Sequence, residues 1–144
     1  MDIIFDIDGT LANADHRTHF VRSKPKNWNA FNAAIPFDTV HEDVAWLLGL
    51  LYRTNNTILL ASGRGEESRY ETTIWLRNHS IYYHKLYMRP EKDYRDDTII
   101  KKEMLDQMRF EGFDPKIVFD DRDKVVKMWR DNGLRCLQVA EGAF

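Results

Sequence analysis

Apolar positions along this chain fall into two different rhythms. Five short runs are almost continuously apolar: Ile3–Phe5, Thr57–Ala61, Lys85–Met88, Lys116–Phe119 and Cys136–Val139. Runs this short with few polar positions mark strands covered on both faces, as in a parallel sheet. Between them the apolar residues recur at helical spacing. Val40, Val44, Leu47, Leu48 and Leu51 form one such series, with Thr39 placed to cap it. Glu66 to Asn78 sets Tyr70, Ile74 and Arg77 on one face, and Asp97 to Arg109 aligns Ile100, Met104 and Met108. Asp123 to Asn132 aligns Val126 and Trp129 and stops before Gly133, a natural helix terminator. Trp46, Trp75 and Trp129 lie within these helices and are predicted to be core. Strands alternating with helices predict right-handed crossovers and an α/β fold with a five-stranded parallel sheet.

The first crossover is unusually long. Residues 13–38, including "HRTHFVRSKPKNWNAFN", read as a small insert over the sheet's edge, with a short helix around Trp28 and Phe31. Those two rings could stack on a nucleobase, but their i, i+3 spacing favours the apolar face of that short helix. No repeat, low-complexity tract or linker interrupts the chain, so 1–144 reads as one domain carrying that insert.

Composition narrows the function. Apolar residues make up 43% and charged residues 31%, ordinary for a soluble globular protein. The net charge of −2 supplies no global field for a long polyanion, so any anionic ligand needs a local site. The single cysteine, Cys136, lies in the apolar run "LRCLQV"; this predicts a buried thiol, no disulfide framework and a reducing compartment. Asp2, Asp6 and Asp8 break up any signal-peptide pattern, and no apolar run nears the ~20 residues of a membrane span. The expectation is a cytoplasmic protein with no membrane partner; the sequence carries no signature of oligomeric state.

The chemistry sits at the strand ends. The first strand runs into Asp6-Ile7-Asp8, the second into Ser62-Gly63-Arg64 and the fourth into Asp120-Asp121-Arg122. Ligands of open α/β sheets bind beyond these carboxyl ends. Four carboxylates gathered there need a cation, and their oxygens suit a hard one, Mg²⁺, with Asp6, Asp8, Asp120 and Asp121 as candidate ligands. A calcium loop needs glycine at its sixth position, whereas here Gly9 is fourth. A metal beside a free carboxylate, a hydroxyl and a lysine suggests phosphoryl transfer, with Lys101 or Lys102 as the lysine. Asp8 points to the same side of an extended backbone as Asp6, where it can handle a proton. Simpler roles exist for several of these groups. Asp120, Asp121 or Ser62 could cap a following helix, and Arg64 and Arg122 could merely pair with the acids.

In order, "DIDGT", Ser62, a lysine and "DD" resemble the four motifs of the haloacid dehalogenase-like phosphatase superfamily. More closely, "FDIDGTLA", "SGR", "DYRDDTIIKKE" and "VFDDRDKVVKMWRDNGLRCLQVAEGAF" resemble the 3′-phosphatase domain of bacteriophage polynucleotide kinase-phosphatases, from Ile3 to Phe144. The resemblance implies a Rossmann-like sheet, Asp6 as nucleophile and Asp8 as general acid–base. It also implies Ser62 and Lys101 as phosphoryl-holding groups, Lys101 being preferred to Lys102 by its place in "DDTIIK". Arg17, Arg64 and Asp97 match further functional positions and, with Gly63, form the implied substrate-binding set; Asp120 and Asp121 match the metal pair. The implied function is a Mg²⁺-dependent phosphomonoesterase working through an aspartyl phosphate on 3′-phosphates of nucleic-acid ends or nucleotides, in nucleic-acid repair. The alternatives are a 5′-nucleotide or metabolite phosphatase and, more remotely, a phosphoacceptor signalling module. That module carries its acidic pair first in the chain and lacks a counterpart to Asp8. Bifunctional enzymes also carry a G-x-x-x-x-G-K-[ST] loop; none occurs here, so no kinase activity is expected from these residues.

Overall fold

A computed structural model describes residues 1–144. In chain order the elements are β1 (Asp2–Phe5), β2 (Ala12–Asn13), α1 (His19–Arg22), α2 (Trp28–Ala33), β3 (Thr39–Val40), α3 (Glu42–Arg53), β4 (Thr57–Gly65), α4 (Arg69–Asn78), β5 (Lys85–Arg89), α5 (Asp97–Phe110), β6 (Pro115–Asp120), α6 (Asp123–Asp131) and β7 (Arg135–Gln138). Single 3₁₀ turns occupy Asp15–Arg17, Ile35–Phe37 and Glu66–Ser68. The predicted five-stranded sheet is present, in the order β5-β4-β1-β6-β7, and every pairing is parallel.

Side chains alternate across each strand, so the apolar runs feed two cores at once. Ile3 and Phe5 of β1, with Ile58 and Leu60 of β4, pack on one face against Leu48 of α3 and Trp75 and Leu76 of α4. Ile4, Leu59 and Ala61 face the other way, onto Ile100, Met104 and Leu105 of α5 and Val126 and Trp129 of α6. Phe5 and Phe119 stack with ring centroids 4.5 Å apart. Cys136 is buried in the second core, and burial pushes its thiol up to about 12. No helix is long and apolar enough to cross a membrane.

The strand order places a crevice beside the central strand. From β1 the chain crosses to β4 on one side and later reaches β6 on the other, so the reversal of winding lies at β1. The 13–38 insert leaves from the carboxyl end of that strand. It is closed at its base by a two-stranded ribbon, Ala12 pairing with Val40 and Asn13 with Thr39.

Several local expectations are corrected. Thr39 does not cap α3; it belongs to β3, and His41 occupies the N-cap position. Trp46 is 65% exposed, whereas Trp75 and Trp129 are buried as predicted. The reason is angular. Trp46 lies two residues, about 200° of helix, beyond Val44, which packs on the core. In the next helix Thr72, Trp75 and Leu76 form the buried stripe while Tyr70 faces solvent, and Glu66–Ser68 is a 3₁₀ turn. β4 runs past Ala61 to Gly65, with a register shift against β5 between Ser62 and Gly65. α2 forms around Trp28 and Phe31 as predicted, but neither α1 nor α2 buries a single residue.

The two helix tryptophans should therefore differ sharply in energetic weight. Trp75→Ala should cost about 3–5 kcal/mol through cavity formation. Trp46→Gln should stay within about 0.5 kcal/mol of the parent protein. Urea unfolding midpoints at unchanged slope measure both.

Candidate active site

Where β1 ends, its hydrogen bonding continues one residue further: the Asp6 amide donates to the Phe119 carbonyl at 2.9 Å. The chain then turns tightly, the Thr10, Leu11 and Ala12 amides all converging on the Ile7 carbonyl at 3.1, 2.8 and 2.9 Å. Gly9 is required in that turn on two counts. Its φ is +86°, and a Cβ there would lie 2.1 Å from Asp121 Oδ2. The turn thus lets the loop after β1 close against the loop after β6.

That closure gathers Asp6, Asp120 and Asp121, all buried, with carboxylate oxygens within 4.8 Å of one another. Lys101, reaching in from the first turns of α5, donates to Asp6 Oδ1 at 2.7 Å and to Asp120 Oδ2 at 2.9 Å. Thr10 Oγ1 donates to Asp6 Oδ2 at 3.2 Å, and Trp129 Nε1 to Asp120 Oδ2 at 3.0 Å. Burial pushes the Asp6 carboxyl well up; Lys101 opposes this, and Asp120 and Asp121 reinforce it. Asp121 is raised by burial and then by Asp120. For Lys101, burial acts downward, but the charges of Asp120 and Asp6 outweigh it and raise the ammonium above its ordinary range. Three carboxylates against one ammonium leave a negative excess with oxygen donors only, a set suited to a hard divalent cation. Lys102, by contrast, pairs at the surface with Asp106.

Asp8 lies outside this cluster. Its carboxylate accepts from Arg64 Nη2 at 2.6 Å and Nε at 3.0 Å, and from Arg17 Nη2 at 3.0 Å. Burial acts to raise Asp8, but Arg64 and then Arg17 outweigh it and hold the carboxyl below its usual range. Behind both arginines sits Asp38, a residue that no sequence motif singles out. It accepts from Arg17 Nε at 2.8 Å and Nη2 at 2.9 Å, from Arg64 Nη2 at 3.0 Å, and contacts His16 Nε2 at 2.6 Å. Arg64 Nη1 donates to Thr72 at 3.1 Å. Arg17 is fully buried, and its Nη1 has no hydrogen-bond partner.

The remaining candidates arrange themselves around α5. Ser62, buried, lies two residues beyond Leu60, the neighbour of Phe5, and its Oγ accepts from the Arg64 amide at 3.1 Å rather than capping a helix. Gly63 permits a close approach: a Cβ would lie 2.7 Å from Asp97 Oδ1. Asp97 itself is held by Arg89 and by Arg122 Nη1 at 3.0 Å, while Arg89 Nε donates to the Gly63 carbonyl at 3.0 Å. Arg122 therefore pairs with Asp97 and not with the acidic cluster. Asp120 Oδ1 accepts from the Asp121 amide at 2.8 Å, and the N-cap residue of α6 is Arg122, with no side-chain cap. Asp38, Arg89 and Thr72 carry no local signal; each is recruited through space by a buried or half-buried charge.

A family profile for the phosphatase domain of polynucleotide kinase, PNKP, of the haloacid dehalogenase type, matches residues 1–144. Among curated proteins, a relative from Autographa californica nuclear polyhedrosis virus described as a bifunctional polynucleotide kinase/RNA ligase is 28% identical over 131 residues, covering 90% of this chain and 18% of the relative. Among solved structures, a chain of a Pnkp1/Rnl/Hen1 complex superposes with a TM-score of 0.84 at 33% identity, covering 99% of this chain and 46% of that one. A hydrolase from Streptococcus pneumoniae, at 16% identity and TM-score 0.67 over 97% of this chain and 92% of its own, shares the fold. The chain thus spans less than half the length of the first two relatives. A profile match running from Met1 to Phe144 settles the family: the chain belongs to the PNKP phosphatase domains of the haloacid dehalogenase type and is a phosphoric monoester hydrolase.

Proposed function

We propose that this domain removes 3′-phosphates from nucleic-acid ends, with Asp6 as nucleophile and Asp8 as general acid–base. The observation that carries the reading is the separation of charge around β1. Asp6 lies among acids and one lysine, while Asp8, two residues on, lies between two buried arginines. Family membership supports the substrate class, as does the likeness to a chain from a complex described as an RNA repair assembly.

In this mechanism Asp6 attacks phosphorus, forming an Asp6–phosphorus bond as the bond to the 3′-oxygen breaks. Asp8 gives its proton to the departing oxygen. Water then attacks the aspartyl phosphate, Asp8 takes its proton, and inorganic phosphate leaves. Asp6, Asp120 and Asp121 would hold Mg²⁺, which supplies neutralisation of the phosphoryl oxygens when bound. Lys101 fixes Asp6 and shares the transferring charge, and Ser62, in the carboxyl-terminal half of β4, is the hydroxyl that holds the phosphoryl group with it. Arg17 and Arg64 keep Asp8 ionised at rest. A phosphate dianion bound beside these guanidiniums competes for their charge and repels the Asp8 carboxylate, raising its proton affinity so that Asp8 takes a proton from solvent and then gives it to the leaving oxygen. Gly63 and Asp97 brace the approach to Lys101, and Asp38 positions both arginines.

A phosphate-release panel with 3′-phosphorylated oligonucleotides, 3′- and 5′-nucleotides and sugar phosphates tests the substrate. The 3′-phosphorylated ends should be the best substrates, EDTA should abolish release and Mg²⁺ restore it. Preference for 5′-nucleotides would make it a metabolite phosphatase, and a lack of turnover would favour a phosphoacceptor module.

Asp8→Asn should lower the rate on poor leaving groups by ~10²–10⁴-fold and be milder in the first step with an activated aryl phosphate. Wild-type rates on both substrates would refute the assignment.

Asp38→Ala leaves buried guanidiniums short of a carboxylate and should destabilise the fold by about 3–5 kcal/mol. Asp38→Asn should keep more stability yet lose kcat on nucleotide substrates. Thermal unfolding beside kinetics separates the two effects.

A further inference from the structure

The domain is acidic overall, but its charge is unevenly placed. From His16 to Phe37 there is not one Asp or Glu, while Arg17, Arg22, Lys24 and Lys26 all fall in that stretch. Residues 22–29 are exposed throughout. The stretch also exposes Trp28, half of whose surface is open to solvent, at the start of α2. Since α1 and α2 bury nothing, the core does not explain why a tryptophan stands there.

The aromatic surface is continuous with the active site. Arg17 Nη2 lies 3.0 Å from Asp8 Oδ1. The Arg17 guanidinium sits 4.3 Å from the centre of the Phe31 ring. Phe31 meets Trp28 edge to face with centroids 5.6 Å apart, and Lys26 Nζ lies 5.6 Å from the Trp28 ring. A line of cation, aromatic ring, aromatic ring and cation thus leads outward from the group assigned to protonate the leaving oxygen. Alternating stacking surfaces and cations are what a single-stranded nucleic acid uses, since bases stack on aromatic faces while phosphates follow positive charge.

We propose that this basic insert is the strand-binding subsite: Trp28 stacks on a base near the 3′ end, and Lys24 and Lys26 hold the phosphates beyond it. The proposal rests on the 3′-phosphatase reading and gives it a substrate class, a single-stranded end recognised over its last few nucleotides. Because the basic stretch is short and the rest of the domain acidic, chain length beyond a few nucleotides adds little, and the salt dependence is shallow.

The test compares the wild-type chain, Trp28→Ala, Trp28→Phe and the pair Lys24→Ala/Lys26→Ala. Each is assayed on a 3′-phosphorylated pentanucleotide, the same strand with its bases removed, and 4-nitrophenyl phosphate. Trp28→Ala should lose about ten-fold in kcat/KM on the pentanucleotide, chiefly through KM. It should match the wild type on 4-nitrophenyl phosphate, and Trp28→Phe should recover part of the loss. The base-free strand should reduce the wild type to the level of Trp28→Ala. The lysine pair should flatten the salt slope, each lost phosphate contact removing about 0.7 from it on single strands. An unphosphorylated pentanucleotide should quench the tryptophan emission of the wild type and not that of Trp28→Phe. Equal kinetics for all variants on the pentanucleotide overturn the subsite and leave the 3′-phosphatase reading standing. Hydrolysis of 4-nitrophenyl phosphate with none of any 3′-phosphorylated strand overturns both.

Discussion

Five carboxylates converge where the sheet reverses its winding, and burying them together is the constraint on which the rest of the structure depends. Asp6, Asp38, Asp120 and Asp121 are almost wholly inaccessible, and Asp8 is partly so. An uncompensated buried carboxylate costs several kcal/mol, so the group must recruit cations. The cations come from distant places in the chain. Lys101 meets Asp6 across 95 positions, Arg64 meets Asp8 across 56, and Arg17 meets Asp38 across 21. Much of the tertiary arrangement can be understood as the delivery of these three side chains. α5 carries Lys101 over one face of the sheet, the extension of β4 carries Arg64, and the 3₁₀ turn at Asp15–Arg17 brings Arg17 in from the insert.

The compensation is incomplete on one side and complete on the other. Around Asp6 a single ammonium faces three acids, leaving a negative excess that a divalent cation would relieve. Around Asp8 two guanidiniums face two acids, with His16 touching Asp38. Two aspartates separated by one isoleucine therefore experience opposite environments: burial and neighbouring acids raise Asp6, while Arg64 and Arg17 lower Asp8. Ile7 between them is fully buried and anchors the turn that keeps them apart.

The insert serves both the fold and the surface. Its base is tied by the β2–β3 ribbon, Ile35 is buried in the core beneath it, and Asp38 at its end receives Trp75 Nε1 on its carbonyl at 2.9 Å. Its outer part, α1 and α2, contributes no buried residue and so is free of core-packing constraints. Positive charge accumulates on that outer part, beside the site and away from the acidic body of the domain.

Whatever is encoded locally could be read from the chain alone. Continuous apolar runs specify doubly covered strands, and strands alternating with helices specify a parallel sheet whose carboxyl ends form one edge. That edge necessarily collects Asp6, Asp8, Ser62, Arg64, Asp120 and Asp121, which is why the candidate chemistry was legible. Which of these groups meet was decided by packing. Trp46 and Trp75 both lie in helices, but Trp46 stands about 200° round α3 from the core-facing Val44 and is exposed, whereas Trp75 falls on the buried stripe of α4. Asp38 has no motif around it; it matters because two arginines from elsewhere must be neutralised where it happens to lie. Arg122 follows two acids in sequence, yet it reaches Asp97. Asp8 stands beside Asp6 in the chain, yet its carboxylate belongs to the arginines. Charge pairing acts through space and is set by the packing of whole elements, so no periodicity along the chain records it.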